Sequence, residues 1–176
     1  MEIDLKNVKF SKSDASKGLR MPKGLDERLA EEIGIFLGNG YLSTHGYHFE
    51  LGFSGHLTDD YFYLLNHVRP LMKYLFNHPG TVIASKKDNT LKVMYWSKAI
   101  FSFHSEVLGL PIGEKKFVLR IPDPVLDLSK NVTAYCIRGL IDTDGTLTFR
   151  RKYKMMPYYP AIKIETASKE LIKQVM

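Results

Sequence analysis

The chain has 176 residues, a length that suits one domain or two small ones, and its 44% hydrophobic content is enough to bury a core and argues against disorder. Its 25 lysines and arginines exceed its 19 acidic residues, and this net charge of +6 favours a polyanionic partner such as nucleic acid. The single cysteine, Cys136, excludes an internal disulfide and a cysteine-cluster zinc site. Without a membrane-length apolar run or a signal-peptide core, we expect a soluble, cytoplasmic protein.

The N-terminal residues 1–24 are polar and basic, with cations at Lys6, Lys9, Lys12, Lys17, Arg20 and Lys23. We interpret this segment as a basic arm. Two interpretations remain open: an arm that follows a phosphate backbone, and a tail that is only solvated.

A helix is predicted after Gly24, because Leu25, Leu29, Ile33 and Phe36 recur on one helical face. Glycines at 38 and 40 end it. Two strands, 41–44 and 47–53, then form a hairpin around His45-Gly46, and apolar and polar residues alternate along the second strand.

The next predicted helix starts at Thr58, which is followed by two acidic residues, and runs to about Phe76 with a kink near Pro70. A second hairpin, a third helix that ends at Gly109, and a connecting stretch with two prolines follow. The pattern then begins again with one helix, two strands and the start of a further helix at Ser168. These predicted ranges are 81–86 and 91–96 for the hairpin, 98–108 for the third helix, and 133–144, 146–149 and 159–166 for the later elements.

An internal repeat explains this recurrence. When Gly145 is aligned with Gly40, Gly34 matches Gly139, Gly38 matches Thr143, and Asn39 matches Asp144. Small residues four apart on one side of each helix would let two helix backbones approach closely, placing Asn39 and Asp144 side by side. The alternative is that Asn39 and Asp144 are ordinary helix-end residues.

The second copy, Ile137 to Gly145 (IRGLIDTDG), resembles the LAGLIDADG signature of homing endonucleases, with which it is identical in six of its nine positions. The resemblance covers about residues 25–176. It implies an α+β fold in which an αββαββα repeat carries an antiparallel saddle sheet and is followed by the start of a second repeat. The corresponding division is a basic arm at 1–24, a first repeat at 25–120, a linker at 121–132 and a partial second repeat at 133–176.

The resemblance also implies metal-dependent cleavage of double-stranded DNA, with intron or intein mobility as the family's setting. By position, Asp144 and Asn39 would bind Mg²⁺ or another divalent cation, and Lys116 would be the basic residue near the scissile phosphate; phosphate contact or solvation is the alternative for Lys116. Polar and basic residues of the strands and loops would contact DNA. These candidates are Ser43, His45, His48, Glu50, Lys86, Lys87, Lys92, Lys115, Arg120, Arg150, Arg151, Lys152, Lys154 and Lys163.

Two departures from the family pattern affect the expected activity. Asn39 is neutral where the family has an acid, so it offers an amide oxygen to a cation but no charge. The second copy is also shorter than the first by about fifty residues in this alignment. We therefore expect an endonuclease that is impaired or nicks one strand, with a second chain or a further C-terminal segment completing the second repeat. The alternative is a DNA- or RNA-binding protein without cleavage, such as a degenerate homing protein, a maturase or a regulator.

Overall fold

The computed structural model describes residues 1–151, 154–155 and 158–176, and over these residues helices and hairpins alternate in the predicted order. Two of the helices contain a π-helical turn, at Leu64–Val68 and at Phe103–Val107. The elements are α1 Lys12–Ser16, α2 Glu27–Asn39, β1 Gly40–His45, β2 His48–His56, α3 Tyr61–Tyr63, α4 Arg69–Phe76, β3 Thr81–Ser85, β4 Thr90–Trp96, α5 Lys98–Ser102, α6 Asp123–Leu126, α7 Lys130–Asp144, β5 Gly145–Arg150, β6 Tyr159–Ile164 and α8 Lys169–Val175.

The first repeat forms a four-stranded antiparallel sheet in the order β1-β2-β4-β3, with its helices packed against one face. Leu42, Leu51 and Val93 point into the core and are fully buried. The β1–β2 turn differs slightly from the prediction. Its two residues are Gly46, with a φ of 62°, and Tyr47, which is 97% exposed rather than part of the strand.

The helix after β2 begins at Tyr61, not at Thr58. The Thr58 hydroxyl bonds within its own turn, to Asp59 and to the ring of His56, so it caps no helix. Near Pro70, where a kink was predicted, the chain forms a π-helical turn that ends just before the proline. Proline has no N–H to donate, which removes one regular helical hydrogen bond at this position.

The second half contains the predicted helix, hairpin and following helix. The Ser168 side chain accepts a hydrogen bond from the backbone N–H of Leu171 and so caps α8 as expected. The stretch between the halves is not a free linker, because it contains α6 and its Ile121 and Val125 are buried. The Gln174 side chain in α8 bonds to both backbone groups of Ile121.

The N-terminal segment lies against the first repeat along its length. Its ends are joined by backbone hydrogen bonds from Ile3 to Lys23 and from Leu25 to Met1, and the Arg20 N–H donates to the carbonyl of Phe76. The N-terminal segment is therefore not a solvated tail. Among the described helices, none has the length and apolar character needed to cross a membrane.

Candidate active site and nucleic-acid interface

The first determinant of the candidate site is the close packing of α2 on α7. A Cβ added to Gly34 would lie 1.9 Å from the carbonyl oxygen of Cys136, and one added to Gly139 would lie 2.3 Å from the carbonyl oxygen of Glu31. Real Cβ contacts are never this short, so only glycine fits at either position. The structure therefore confirms the predicted helix pair and the reason for its small residues.

The C-terminal ends of the two helices meet. A Cβ on Gly38 would lie 1.9 Å from the hydroxyl of Thr143 and 3.4 Å from the carboxyl carbon of Asp144. Asn39 and Asp144 are the last residues of α2 and α7, so both side chains leave the paired helices at the same end. This juxtaposition is the one that the repeat alignment predicts.

A lysine holds the end of α2. The Lys115 ammonium donates hydrogen bonds to the carbonyl oxygens of Phe36, Leu37 and Gly38 at 2.6, 2.8 and 2.5 Å. The last carbonyls of a helix carry the negative end of its dipole, so a cation is favoured here. The carbonyl of Phe36 also accepts the backbone N–H of Gly40. Desolvation lowers the pKa of Lys115 to about 8, although the charge of Asp144 opposes this shift.

Asp144 and Lys115 share one cleft of about 370 Å³, which Glu165 and Thr166 also line. Asp144 keeps part of its surface in solvent, yet the packed helix ends around its carboxyl group raise its pKa, against the lowering effect of Lys115. A carboxylate and an ammonium thus lie together at the point where the helices meet.

The oxygens at this point fit a hard cation. Asp144 offers a carboxylate in the same cleft that holds the Lys115 ammonium. Magnesium prefers such oxygen ligands. Asp144 would supply the charged ligand and Asn39 a neutral amide oxygen. Over the described residues no group of three His, Cys, Asp or Glu side chains could hold a metal ion.

The other two candidates near this cleft lie differently. Lys116 lines it but is exposed, with its ammonium 5.5 Å from the ring centroid of Phe117. Arg120 is exposed and is paired with Asp123 at the start of α6. Lys115, a predicted DNA contact, lies in the cleft of Asp144 and bonds to the end of α2. Two adjacent lysines in a connecting stretch gave no signal for which of them points inward.

Asp142 has a structural contact rather than a place in the cleft. It forms an ion pair with Arg138 one helical turn earlier, at 3.5 Å, and Arg138 also lies 3.3 Å from the buried carboxylate of Glu31 on α2. His67 shares the same Glu31 oxygen at 2.8 Å. These contacts link the two halves outside the cleft that contains Asp144.

Most of the strand residues predicted to contact DNA lie on the outer face of the first sheet. The pairing places Ser43 opposite Glu50, and Glu50 opposite Trp96, so all three point to the same side. Alternation puts His45, His48 and Lys92 on that side too, while Lys86 and Lys87 lie in the β3–β4 turn. This face is opposite the helices and open to a large ligand.

Two aromatic residues on this outer face were not among the sequence candidates. The indole N–H of Trp96 donates to the carboxylate of Glu50 at 3.2 Å. The ring of Tyr41 lies over Gly52, and its hydroxyl is 3.1 Å from the sulfur of Met94. The alternation of Lys92, Met94 and Trp96 with the buried residues of β4 was the signal that could have identified Trp96.

The basic candidates of the second half lie around the β5–β6 hairpin. Lys163 is opposite Thr146, and it forms an ion pair with Glu165. Arg150 ends β5, Arg151 places its guanidinium 5.6 Å from the ring centroid of Tyr158, and Lys154 is exposed. Lys152 lies outside the described residues.

No family model matches the chain. Residues covering 73% of the chain are 29% identical to a part of one subunit of the A-type ATP synthase of Pyrococcus abyssi, and the match spans 12% of that protein. Among solved structures, the chain is similar to the homing endonuclease I-DmoI in complex with DNA and Mn, with 14% identity, 70% and 64% coverage of the two chains, and a TM-score of 0.48.

A second structural match is the meganuclease I-SmaMI, in a mutant form, with 11% identity, 79% and 65% coverage, and a TM-score of 0.42. The chain thus spans less than two thirds of the length of each of these solved structures.

Proposed function

We propose that this chain recognises double-stranded DNA and cleaves a phosphodiester bond as a LAGLIDADG-type endonuclease, acting on one strand. The observation that carries the proposal is the glycine-mediated pairing of α2 and α7, which brings Asp144 and Asn39 to one end of the helix pair. The LAGLIDADG-like motif supplies the chemistry, and the open, polar face of the first sheet supplies a surface for a duplex.

A divalent cation, Mg²⁺ in this proposal, would supply Lewis acidity at the scissile phosphate and lower the pKa of a bound water. Asp144 would hold it through its carboxylate, and Asn39 through its amide oxygen. The two halves are therefore chemically unequal. Because Asn39 is neutral, it should bind a cation more weakly than a carboxylate would. For this reason we propose nicking in place of a double-strand cut.

Lys115 is our preferred basic residue for this site. Its ammonium lies in the same cleft as Asp144 and is fixed to the end of α2, whereas Lys116 is exposed at the edge of that cleft. A protonated Lys115 would stabilise negative charge that develops on a phosphate held at Asp144. Lys116 and Arg120 remain proposed contacts to the DNA backbone.

One observation favours a second function, DNA binding without cleavage. Asn39 removes a charge from the site, and over the described residues no group of three His, Cys, Asp or Glu side chains could hold a metal ion. In either function we propose that a second chain, or a further C-terminal segment, completes the second repeat. The reason is the exposed apolar side of β5 and β6, where Leu147, Phe149 and Ile162 are each more than half exposed.

The test is a selection followed by a cleavage assay. A library of randomised duplexes would be enriched for binding, and the selected site placed in a supercoiled plasmid with Mg²⁺. We expect nicked circles that require Asp144, with Asp144→Asn retaining DNA binding but losing nicking. Equal nicking by Asp144→Asn would reject the site, and salt-dependent binding with no nicking by either protein would favour the binding-only function.

A further inference from the structure

A second cleft, which the proposed site does not use, opens where the N-terminal segment meets the far end of the first sheet. It has a volume of about 280 Å³, and the side chains that matter to its chemistry are Ser13, Lys17, Tyr47, His48, Trp96 and Lys98. No acidic residue of the described chain lines it. Trp96 and His48 also belong to the outer face of the sheet, so the cleft continues that face beyond its last strand residues.

The wall that the N-terminal segment contributes is fixed in place by a buried carboxylate. Asp14, which is 1% exposed, accepts hydrogen bonds from the N–H and hydroxyl of Ser11 and from the N–H of Ala99 at the start of α5. Burial alone would raise its pKa, but these hydrogen bonds lower it, so Asp14 stays ionised. A charged, buried anchor holds α1 against the sheet end.

The two lysines of the cleft have partners other than carboxylates. The Lys17 ammonium donates to the carbonyl oxygen of Trp96 at 3.2 Å, and the Lys98 ammonium lies 5.4 Å from the ring centroid of Phe49. Neither forms an ion pair within the described residues. Elsewhere in the same segment, Lys6 is paired with Asp4 and Lys9 with Glu106 at 2.7 Å.

We infer that this cleft is a phosphate-binding site. It binds the DNA backbone next to the recognised sequence, outside the base pairs that are read. The inference rests on the proposed function, because the duplex must lie on the sheet face for its backbone to reach the cleft. Lys17 and Lys98 supply positive charge from two sides, while Tyr47 and Trp96 offer apolar surface to the sugar. Such contacts position a duplex without reading its bases.

The test compares two double variants of equal charge change. The cleft variant is Lys17→Gln with Lys98→Gln, and the control is Lys6→Gln with Lys9→Gln, whose lysines already have acidic partners. Affinity for the selected site is measured by fluorescence anisotropy over a range of NaCl. One duplex carries about ten base pairs of flank on each side, a helical turn of DNA, and the other carries none.

On the flanked duplex, we expect the cleft variant to lose up to about 0.9 from the slope of log K against log salt for each phosphate contact removed. On the duplex without flanks the cleft variant should match the control. Equal slopes for the two variants on the flanked duplex would overturn the inference while leaving the proposed function intact. Absence of salt-dependent DNA binding by the unmodified chain would overturn the proposed function itself. Cleft-dependent binding of single-stranded RNA but not of the duplex would overturn the inference by assigning the site to a different partner.

Discussion

The first repeat and the second half differ most in the apolar sides of their equivalent hairpins. Leu42 and Leu51 are fully buried, whereas the residues at the corresponding positions, Leu147 and Ile162, expose 61% and 59% of their surface. In the first repeat α5 covers this side, and the ring centroids of Phe49 and Phe101 lie 5.3 Å apart. The described part of the second half has no helix equivalent to α5.

This difference shows that the helix contact that pairs the two halves is distinct from the core packing that stabilises each half. The contact between α2 and α7 needs only the two motif helices, and it forms although the second hairpin is open on one side. The second hairpin depends on the helix pair and on α8 for its position, while the first has a core of its own. The site between the helix ends therefore draws its rigidity mainly from the first repeat.

The largest expected effect is the difference in unfolding free energy between alanine variants of two matched leucines. Leu42→Ala should reduce the free energy of unfolding by about 2–5 kcal/mol because it leaves a cavity in the core. Leu147→Ala, at the equivalent position, should cost about 0.5 kcal/mol or less, as for an exposed substitution. Urea unfolding of both variants measures the difference. Equal large losses would mean that Leu147 is already covered when the chain is alone, which would contradict its exposure in this structure.

The next effect concerns the helix pair that the halves share. Gly139→Ala places a methyl group 2.3 Å from the carbonyl oxygen of Glu31, a backbone atom that cannot rotate away. We expect a loss of about 1–3 kcal/mol in the free energy of unfolding, despite the better helix propensity of alanine. The control is Gly24→Ala, where the nearest atom would be 3.4 Å away. An unchanged stability for Gly139→Ala would contradict the close packing.

A smaller effect should appear in the pH dependence of nicking. Asp144 must be ionised, so activity should rise with pH through the raised pKa of Asp144. Lys115 must be protonated, so activity should fall by about tenfold per pH unit above its pKa of about 8. Lys115→Arg, which stays protonated, should remove the alkaline fall from the measured profile. An alkaline fall that persists in Lys115→Arg would assign it to another group.

The smallest expected effect tests whether the second hairpin contacts DNA as the first sheet does. Neutralising Arg150, Arg151, Lys152 and Lys154 together should lower the slope of log K against log salt by up to about 0.9 per lost phosphate contact. Neutralising Lys86, Lys87 and Lys92 of the first sheet gives the comparison. If only the first-sheet variant changes the slope, the second hairpin is not part of the interface.

The sequence was sufficient to predict the elements that depend on local pattern and on the repeat. Glycine spacing predicted the α2–α7 contact, alternation predicted the outer face with Ser43 and Glu50, and Ser168 was identified as a helix cap. These features follow from side-chain period and cap chemistry, which neighbouring residues determine.

Other features depend on contacts between residues far apart in the chain. Thr58 has the residue type of a cap, but its hydroxyl is engaged within the preceding turn. Lys115 resembled several exposed cations in the sequence, and only the folded end of α2 provides three carbonyls for it. The polar segment that contains Asp14 resembled a free arm, because its buried partner at Ala99 lies 85 residues away.

The central claim is that the paired helix ends form an unequal cleavage site, with a carboxylate from α7 and an amide from α2. The most direct measurement is the ratio of linear to nicked plasmid for the natural chain, Asn39→Asp and Asp144→Asn, each with Mg²⁺ and the selected site. We predict that the natural chain yields nicked plasmid without linear plasmid. Asn39→Asp should give a marked rise in linear plasmid, and Asp144→Asn should give no cleavage. Efficient linearisation by the natural chain, or activity that survives Asp144→Asn, would contradict the claim.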